Sequence, residues 1–467
     1  MKGFYLKPGG VGIIVVFITI LFCFNALSSE GTGVSEGSAG INKNCPPINA
    51  DKEEEARLPS GLTDPGTGPW NLVPKEKVLS VCRLDPKKLE EAEQLLPFPW
   101  AIIRYGQLCW QHDAMNFSPR EAYSATKTLG ALVAGIVAYQ TRNFVRNENK
   151  NTGPFSDMDR VDWWFDGFSY NKDAHVGHVL AMVANNESLE SGKKTMTYDG
   201  AGSTQITTVS FMLNTAISQC PDRLGNNLEA FTKKFLYEPL GMTKSTWTDG
   251  KAQKNFALTW KTDVLDMARV GLLMLNRGVW TGKRILSEEW IYRMTHPAFE
   301  DANTAYGYLT WLNASSNYTM GGIPVAVPPD ADENGKFKVP SLPGPCAPVS
   351  IYKEHPHGLS TSPDCNYKAP YTCEQKYDVG VWQAIGLLGQ VIQGHPGLDM
   401  VIVARDVSLF KSDDPKFMSD LTKGFPAPKV LWDVLRGAVI AGDPIYKDDE
   451  QGFCRDYGSN KYAPDLK

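Results

Sequence analysis

The sequence predicts an α+β protein, because stretches patterned like strands occur in the same chain as stretches with the helical period. Residues 100–105 (WAIIRY) are typical of a strand, and residues 398–404 (LDMVIVA) predict a central one. From residue 124 to about 140, branched apolar residues fall at helical spacing, and alanines and glycines fill the other faces. A helix without a polar side is predicted to be buried. Further helices are predicted over roughly 263–277 and 430–441.

The bulk composition indicates an ordinary globular protein. Of the 467 residues, 42% are apolar and 21% are charged, which is the usual balance of a folded chain. The formal net charge is −5 and the pI is near 5.9. This balance provides no basic surface for nucleic acid, so we expect no nucleic-acid partner.

The N-terminus has the pattern of a secretory leader. Lys2 and Lys7 precede an apolar run over residues 11–24, and small residues follow it. Residues 1–28 are therefore predicted to be a signal peptide, and the protein to be extracellular or lumenal. The alternative is an uncleaved signal anchor, which would attach the chain to a membrane. Residues 29–70 are rich in Gly, Ser, Pro and acidic residues and predict a flexible arm before a domain over 71–467.

Cysteines and glycosylation signals agree with export. Of nine cysteines, Cys23 lies in the leader, and the even number that remains predicts disulfides in an oxidising compartment. Buried free thiols are the alternative, and the pairing does not follow from the sequence. Four Asn-x-Ser/Thr sequons are candidate glycosylation sites: Asn116, Asn186, Asn313 and Asn317.

A Pro-rich segment over about 321–377 interrupts the regular patterning. It contains Cys346, Cys365 and Cys373, and a loop of this length is usually functional or separately cross-linked. We interpret it as a disulfide-tied insertion near the mouth of the active site. The pair His355-Pro-His357 within it lacks clustered partners, so no metal site is predicted.

The most informative chemical pattern is Ser124-Ala-Thr-Lys127. Residues i and i+3 share a face of a helix, so the Lys127 amine can reach the Ser124 hydroxyl. A serine hydroxyl becomes a good nucleophile when a neighbouring base takes its proton. A lysine can be that base when burial keeps it neutral. At the start of a helix, free backbone amides would also stabilise a developing oxyanion.

The context of the pattern separates it from chance matches. The spacing Ser-x-x-Lys also starts at Ser169, Ser191, Ser350 and Ser408, but only Ser124 opens an apolar helix. The alternative reading, from the residues alone, is a helix cap followed by a solvated lysine.

Further motifs follow the serine in order, and together they resemble the serine β-lactamase-like superfamily, especially its esterase and 6-aminohexanoate-dimer hydrolase branch. The resemblance covers roughly residues 95–445. It rests on five segments: Tyr123-Ser-Ala-Thr-Lys127, Tyr198-Asp-Gly-Ala-Gly-Ser-Thr-Gln205, Pro239-Leu-Gly-Met-Thr243 with Ser245-Thr-Trp247, residues 272–285, and Gly386-Leu-Leu-Gly-Gln390.

The resemblance implies a role for each matching residue. Ser124 would be acylated, and Lys127 would take its proton. Tyr198 would match the family tyrosine that passes a proton between the nucleophile and the leaving group. The backbone amides of Ser124 and Leu387 would hold the oxyanion. A tyrosine in the core is the alternative reading of Tyr198.

The third motif departs from the antibiotic-binding pattern. Where β-lactamases have Lys-Thr-Gly, this chain has Ala384-Ile-Gly386, without a cation or hydroxyl for a β-lactam carboxylate. Gly200 lies where β-lactamases have an amide-bearing residue. Gly200 and Gly386 are candidates for substrate contact. The departure argues against penicillin as the substrate but not against hydrolysis.

The resemblance also implies the arrangement and the reaction. We expect an antiparallel sheet covered by helices, with a mainly helical lobe inserted after the Ser124 helix. The expected activity is hydrolysis of a small-molecule carboxylic ester or amide through an acyl-serine, without a metal or organic cofactor. The alternatives are a catalytically inactive extracellular binding glycoprotein of the same fold and a peptidase that acts on D-amino-acid or short peptides.

Overall fold

An antiparallel sheet forms the centre of the fold in a computed structural model of the chain. The structure describes Cys45 and residues 63–112, 118–167, 171–198, 200–247, 255–299, 301–303, 305–312, 319–320, 323–324 and 381–439. All of these residues belong to one unit, Asn42–Lys467.

The strands, in chain order, are β1 (Trp100–Arg104), β2 (Gln107–Gln111), β3 (Arg120–Glu121), β4 (Thr246–Trp247), β5 (Trp260–Thr262), β6 (Val279–Trp280), β7 (Lys283–Arg284), β8 (Trp311–Leu312), β9 (Thr319–Met320), β10 (Ile323–Pro324), β11 (Trp382–Gly386), β12 (Gln390–His395) and β13 (Met400–Ala404). In the described part of the chain, six of them form the main sheet in the order β2-β1-β13-β12-β11-β8. A smaller sheet has the order β3-β5-β4.

The helices are α1 (Val78–Cys82), α2 (Pro86–Leu95), α3 (Thr126–Thr141), α4 (Val161–Trp164), α5 (Val176–Leu180), α6 (Gly200–Ser218), α7 (Pro221–Leu224), α8 (Leu228–Thr232), α9 (Glu238–Leu240), α10 (Val264–Leu275), α11 (Glu288–Thr295), α12 (Pro415–Thr422) and α13 (Ala427–Leu435). A π-helical turn, Lys233–Tyr237, joins α8 to α9. Short 3-10 turns lie at Lys75–Lys77, Tyr123–Ala125, Pro396–Leu398, Val407–Leu409 and Arg436–Ala438.

The predicted α+β class and antiparallel sheet are confirmed. Strand β13 lies in the middle of the main sheet, where Ile402 pairs with Ile102 of β1 on one side and Gln393 of β12 on the other. Its run of apolar residues suits this position, because a strand in the middle of a covered sheet is buried on both faces. The two strands that the sequence predicted are therefore neighbours in the sheet.

Alternate residues of the main sheet contribute to two hydrophobic cores. Ile103 and Val401 belong to the core that contains α3, α6 and α10, whereas Ile102 and Ile402 belong to the core that contains α2 and α13. Helix α10 lies very close to the sheet, because a Cβ on its Gly271 would be 2.5 Å from Val401 Cγ1. The sheet is thus enclosed between two layers of helices.

Helix α3 is buried along nearly its whole length, as its apolar pattern predicted. Large aromatic side chains pack directly on its glycines. A Cβ on Gly130 would be 2.4 Å from Phe256, and a Cβ on Gly135 would be 2.3 Å from Trp290. The glycines of α3 therefore allow the neighbouring segments to approach the helix that begins beside Ser124.

The other helix predictions are confirmed with shifted ends. Helix α10 begins after Asp263, whose side chain accepts a hydrogen bond from the Asp266 N–H and so caps the helix. Helix α13 begins three residues before the predicted start and ends at Leu435, where the 3-10 turn Arg436–Ala438 follows it. Helices α4 to α9 lie between α3 and α10 in the sequence, where the helical lobe was expected.

The predicted flexible arm ends earlier than its composition indicates. Residues 63–70 pack against α10, where Trp70 Nε1 donates to the Leu265 carbonyl and Arg269 donates to the carbonyls of Gly66 and Gly68. Upstream of these residues, Cys45 is bonded to Cys220. Apolar anchors separated by small and polar residues explain why composition alone did not show this packing.

Two disulfides are formed among the described cysteines, Cys45–Cys220 and Cys82–Cys109. Their formation agrees with the prediction of disulfide bonds. The predicted leader (1–28), Asn116, Asn313, Asn317, and most of the insertion, including Cys346, Cys365, Cys373 and the pair His355 and His357, lie outside the described residues. None of the described helices is both long enough and apolar enough to cross a membrane.

Candidate active site

Ser124 lies on a tight turn rather than in the first turn of the α-helix. The 3-10 turn Tyr123–Ala125 leads directly into α3, and the backbone enters it from β3. Tyr123 has a φ of 48°, in the left-handed region that few residues other than glycine adopt. Such conformations cost free energy, and active sites are among the places where they cluster. The strained residue immediately precedes the predicted nucleophile.

The predicted base lies within hydrogen-bonding distance of the predicted nucleophile. Lys127 Nζ is 3.0 Å from Ser124 Oγ. The side chain of Lys127 is buried, whereas Ser124 is partly exposed. The geometry therefore agrees with a nucleophile open to substrate and a base enclosed behind it. The alternative of a solvated lysine is wrong.

Burial lowers the pKa of Lys127 from 10.5 to about 7. The cause is the cost of removing the ammonium from water, and no opposing carboxylate compensates for it in the Lys127 environment as described. The amine also donates to the Ala257 carbonyl at 3.4 Å, which fixes its position. At neutral pH a substantial fraction of Lys127 is thus neutral and able to accept a proton.

Tyr198 lies against the same lysine. Lys127 Nζ is 4.8 Å from the centre of the Tyr198 ring, and the ring packs 5.0 Å from Trp311 and 6.2 Å from Tyr306. Tyr198 stands two residues before α6, on the helical lobe, and is 8% exposed. Residues separated by 71 positions in the sequence are therefore brought together, as the motif order implied.

The end of β11 packs on the turn that contains Ser124. A Cβ on Gly386 would be 2.2 Å from the Ala122 carbonyl oxygen and 3.2 Å from the Ala125 N–H nitrogen. Glycine is required at this position because any side chain would push the strand away from the nucleophile turn. Leu387 is the next residue in the chain. The predicted substrate contact at Gly386 is in the same place, and Gly200 is the first residue of α6.

In the turn between β11 and β12, the backbone amides of Leu388 and Gly389 have carbonyl acceptors. The Leu388 N–H donates to the Thr422 carbonyl, and the Gly389 N–H donates to the Gly386 carbonyl. Among the described residues, no acceptor is found for the N–H of Leu387. An amide that bonds to no described protein acceptor fits the predicted second oxyanion donor.

The β11 residues of the altered third motif present no polar side chain. Ala384 and Ile385 are buried, and Gly386 ends the strand. A β-lactam carboxylate would therefore find no cation or hydroxyl from these three residues. Asp199, which lies beside Gly200 in the sequence, is outside the described residues.

Ser169 and Ser350, which begin two of the other Ser-x-x-Lys sequences, lie outside the described residues. Lys194 binds the Leu189 carbonyl and Asp301 instead of Ser191. His178 caps α5 and is buried, which lowers its pKa to about 4, as expected of a structural histidine. Among the described residues, no cluster of three potential metal ligands from His, Cys, Asp and Glu occurs.

The sequon at Asn186 lies in a hydrogen-bonded loop. Its side-chain Nδ2 donates to the carbonyls of Val183 and Thr195, and its Oδ1 accepts from Thr195. A glycan on Nδ2 would replace one of these donors. Glycosylation at Asn186 remains a prediction from the sequence.

A cavity of about 550 Å³ lies elsewhere, beside the π-helical turn and β4. Tyr237, Met242 and Trp247 are among its lining residues, but Ser124, Lys127 and Tyr198 are not. The candidate active site is therefore identified by its chemistry and not by the size of this cavity.

Several contributors to the site were not predicted from the sequence. The Ala257 carbonyl holds Lys127, and the Gln390 side chain contacts the turn that contains Leu387. Backbone carbonyls leave no residue-type signal in a sequence. Gln390 did belong to the matched segment Gly386–Gln390, but nothing in that pattern indicated what its side chain contacts.

Comparisons with known proteins find similar solved structures. No family model matches the chain, and no curated protein matches it. A proposed 6-aminohexanoate-dimer hydrolase from Bacillus anthracis is 13% identical, with 78% of this chain and 87% of that chain covered and a TM-score of 0.43. A proposed β-lactamase from Bacteroides dorei is 15% identical, with coverages of 78% and 98% and a TM-score of 0.45. A β-lactamase from Mycobacterium bovis is 15% identical, with coverages of 74% and 99% and a TM-score of 0.43.

These structures come from the superfamily that the sequence motifs resemble. Their sequence identities and TM-scores are low. A shared fold does not determine which reaction a protein catalyses.

Proposed function

We propose that the chain is a serine hydrolase that cleaves a small carboxylic ester or amide through an acyl-serine intermediate. The observation that carries the proposal is the 3.0 Å contact between Ser124 Oγ and the buried Lys127 Nζ. A lysine with a pKa of about 7 is a base at neutral pH, and it is positioned on the hydroxyl that it must activate.

In the acylation step, Ser124 Oγ attacks the substrate carbonyl carbon while neutral Lys127 takes the hydroxyl proton. The carbonyl double bond becomes a single bond, and the oxygen takes the negative charge. The N–H groups of Ser124 and Leu387 are assigned to this oxyanion. Loss of one such donor typically costs about 2.7–4 kcal/mol of transition-state stabilisation.

Collapse of the tetrahedral intermediate then breaks the bond to the leaving group. Lys127 now holds a proton, and Tyr198 is assigned to pass a proton to the departing oxygen or nitrogen. The position of the Tyr198 ring against Lys127 supports a place for this residue at the site. In the second half-reaction a water molecule attacks the acyl carbon of the acyl-serine and gives its proton to neutral Lys127. The bond between the acyl carbon and Ser124 Oγ then breaks, the proton passes from Lys127 to Ser124 Oγ, and the acid is released. The cycle as written consumes only the substrate and water, and requires neither a metal nor an organic cofactor.

We further propose that the enzyme acts outside the cytoplasm. The predicted leader and the disulfides Cys45–Cys220 and Cys82–Cys109 support an oxidising compartment.

A fluorophosphonate probe tests the nucleophile directly. We expect the wild-type protein to be labelled at Ser124, and Ser124→Ala to lose both the label and the hydrolysis of 4-nitrophenyl acetate. Lys127→Ala should also lose hydrolysis, and the double variant should be little worse than either single variant, because the two groups act as a unit. The matched control is Ser191→Ala, because Ser191 is exposed and also begins a Ser-x-x-Lys sequence. Full activity in Ser124→Ala would exclude the proposal, and a folded wild type that takes no label would favour a binding protein.

A further inference from the structure

The two proposed oxyanion donors come from distant parts of the chain. Ser124 follows β3, whereas Leu387 lies in the turn between β11 and β12. Two donors stabilise one oxygen only when their separation is fixed, because a hydrogen bond weakens steeply away from its preferred distance and angle. The structure must therefore hold the β11–β12 turn at a set distance from β3.

Asp406 contacts both β3 and the residue that closes the β11–β12 turn. Its Oδ1 accepts a hydrogen bond from Gln390 Nε2 at 3.1 Å, and its Oδ2 is 3.2 Å from Arg120 Nη1. Arg120 belongs to β3, four residues before Ser124. Gln390 closes the β11–β12 turn, and its Nε2 also lies 3.4 Å from the Leu387 carbonyl.

The residues after Asp406 are bonded to the same turn. The Val407 N–H donates to the Gly389 carbonyl, and the Ser408 N–H donates to the Leu388 carbonyl. Asp406 itself has a φ of 59°, so its backbone adopts the left-handed conformation at this junction. Both its side chain and the backbone that follows thus hold the segment that contains Leu387.

The two contacts of Asp406 differ in burial. Gln390 is 1% exposed, whereas the Arg120 side chain is 63% exposed and the Asp406 side chain is 17% exposed. A hydrogen bond from a buried amide to a carboxylate is shielded from water, but an exposed ion pair is screened. The buried Arg405 lies 3.7 Å from Asp406 and compensates the same charge. The contact between Gln390 and Asp406 is therefore the stronger constraint.

We propose that Gln390 and Asp406 are positioning residues that set the Leu387 N–H relative to Ser124. The inference rests on the proposed acyl-serine chemistry. Neither side chain needs to touch the substrate, since both act through the backbone of the turn. Their loss should weaken transition-state stabilisation while substrate binding is retained.

The test compares variants that remove the contact with one that keeps it. Gln390→Met keeps the length of the side chain and removes its donor, and Asp406→Ala removes the acceptor. We expect either change to lower kcat for 4-nitrophenyl acetate by about tenfold to a hundredfold, with KM within about threefold. Asp406→Asn keeps an oxygen that can accept from Gln390, so it should stay within about threefold of the wild type.

A tetrahedral inhibitor separates positioning from loss of structure. The Ki of a boronic acid that binds Ser124 should rise in Gln390→Met by about the same factor as kcat/KM falls. Arg120→Ala removes only the exposed contact to β3, so its loss of kcat should be smaller than that of Asp406→Ala. Gln219→Met is the matched control, because the amide that it removes lies beyond the C-terminal end of α6 and donates to the Gly153 and Ala216 carbonyls, and it should change kcat by less than about threefold. Thermal unfolding of each variant shows whether it is folded. Unchanged kcat and Ki in folded Gln390→Met, or equal losses in Asp406→Asn and Asp406→Ala, would overturn the inference.

The two proposals fail in different ways. Absence of ester hydrolysis and of labelling in the wild type counts against the acyl-serine chemistry. The positioning role is tested by comparing kcat and the Ki of the boronic acid in each variant with the values in the wild type. The Ki can be measured for every variant, even without turnover.

Discussion

Lys127 Nζ lies 4.8 Å from the centre of the Tyr198 ring, so the proposed base is covered by the proposed proton carrier. An aromatic face attracts a cation, and this attraction favours the protonated lysine. Burial acts in the opposite direction and is the larger effect, because the pKa of Lys127 is lowered to about 7. The balance leaves a base that can gain and lose a proton near neutral pH.

The first prediction concerns pH. Because Lys127 must be neutral to accept the Ser124 proton, kcat/KM for a neutral ester should rise with pH through about 7 and then level off. Initial rates with 4-nitrophenyl acetate, corrected for its spontaneous hydrolysis, measure this profile. Lys127→Arg carries a permanent charge and should be inactive across the range. A midpoint close to 10 would show that the lysine is not the titrating base.

The second prediction separates the ring of Tyr198 from its hydroxyl. Tyr198→Phe keeps the aromatic face beside Lys127, so the pH midpoint should stay near 7. The hydroxyl is lost, and kcat should fall by roughly a hundredfold or more for substrates with poor leaving groups. The loss should be smaller for 4-nitrophenyl esters, whose leaving group needs little help from an acid. Equal losses for both kinds of leaving group would contradict the assigned role.

The third prediction concerns stability. A lysine whose pKa falls from 10.5 to about 7 on folding destabilises the folded state at low pH. Each unit of pKa shift corresponds to about 1.36 kcal/mol, so Lys127→Met should raise the unfolding free energy at pH 6 by up to about 5 kcal/mol.

The sign of this effect depends on pH. Below about 7 both folded and unfolded chains are protonated, and the folded chain carries the full cost of the buried ammonium. Between about 7 and 10.5 the folded protein has released a proton that the unfolded chain still holds, so the wild type becomes more stable as pH rises. The unfolding free energy of Lys127→Met should therefore exceed that of the wild type by less at pH 10 than at pH 7. Urea unfolding at both pH values measures this difference. A constant difference across this range would show that the pKa is not shifted.

The fourth prediction concerns substrate choice. A β-lactam carries a carboxylate, and Ala384-Ile-Gly386 offers no cation or hydroxyl to it. Burying that carboxylate unpaired costs several kcal/mol, and each 1.36 kcal/mol is tenfold in rate. We expect kcat/KM for a short acyl ester to exceed that for a chromogenic cephalosporin by at least about a hundredfold. Equal or faster turnover of the cephalosporin would reject this reading of the third motif.

The fifth prediction concerns the remaining cysteines. The four described cysteines pair with one another, as Cys45–Cys220 and Cys82–Cys109. Of the three insertion cysteines, an odd number, at least one must then pair outside the insertion or stay free. With the described cysteines occupied, we expect the external partner to be Cys454. Non-reducing peptide mapping should find one insertion peptide linked to the C-terminal peptide, and free thiols at all three insertion positions would refute this.

Periodicity predicted the elements that are buried on all sides. The apolar pattern of α3 and the short run of β13 determine their secondary structure, because burial selects residue types strongly. The motif order then connected Ser124, Lys127 and Tyr198, although their sequence separation carries no geometric information. These parts were predictable because each residue has its own chemical signature.

The rest depends on contacts between backbone and distant side chains. The 3-10 turn at Ser124 follows from the positive φ of Tyr123, which no pattern of side chains indicates. The hydrogen bond from Gln390 to Asp406 joins the two ends of a hairpin, and a glutamine and an aspartate there have no local signature. Trp70 anchors residues that composition assigned to the arm. In each case tertiary contact, which local sequence does not encode, decides the structure.

The Cys45–Cys220 bond determines what a proteolytic cut near the N-terminus would produce. A protease that cuts once between Cys45 and Thr63 would separate the chain into two pieces that stay covalently joined at Cys220. The two pieces would migrate together until a reductant is added. Reduction would then release the N-terminal peptide that contains Cys45. Any tag fused upstream of Cys45 would likewise remain attached to the end of α6 rather than to the edge of the sheet.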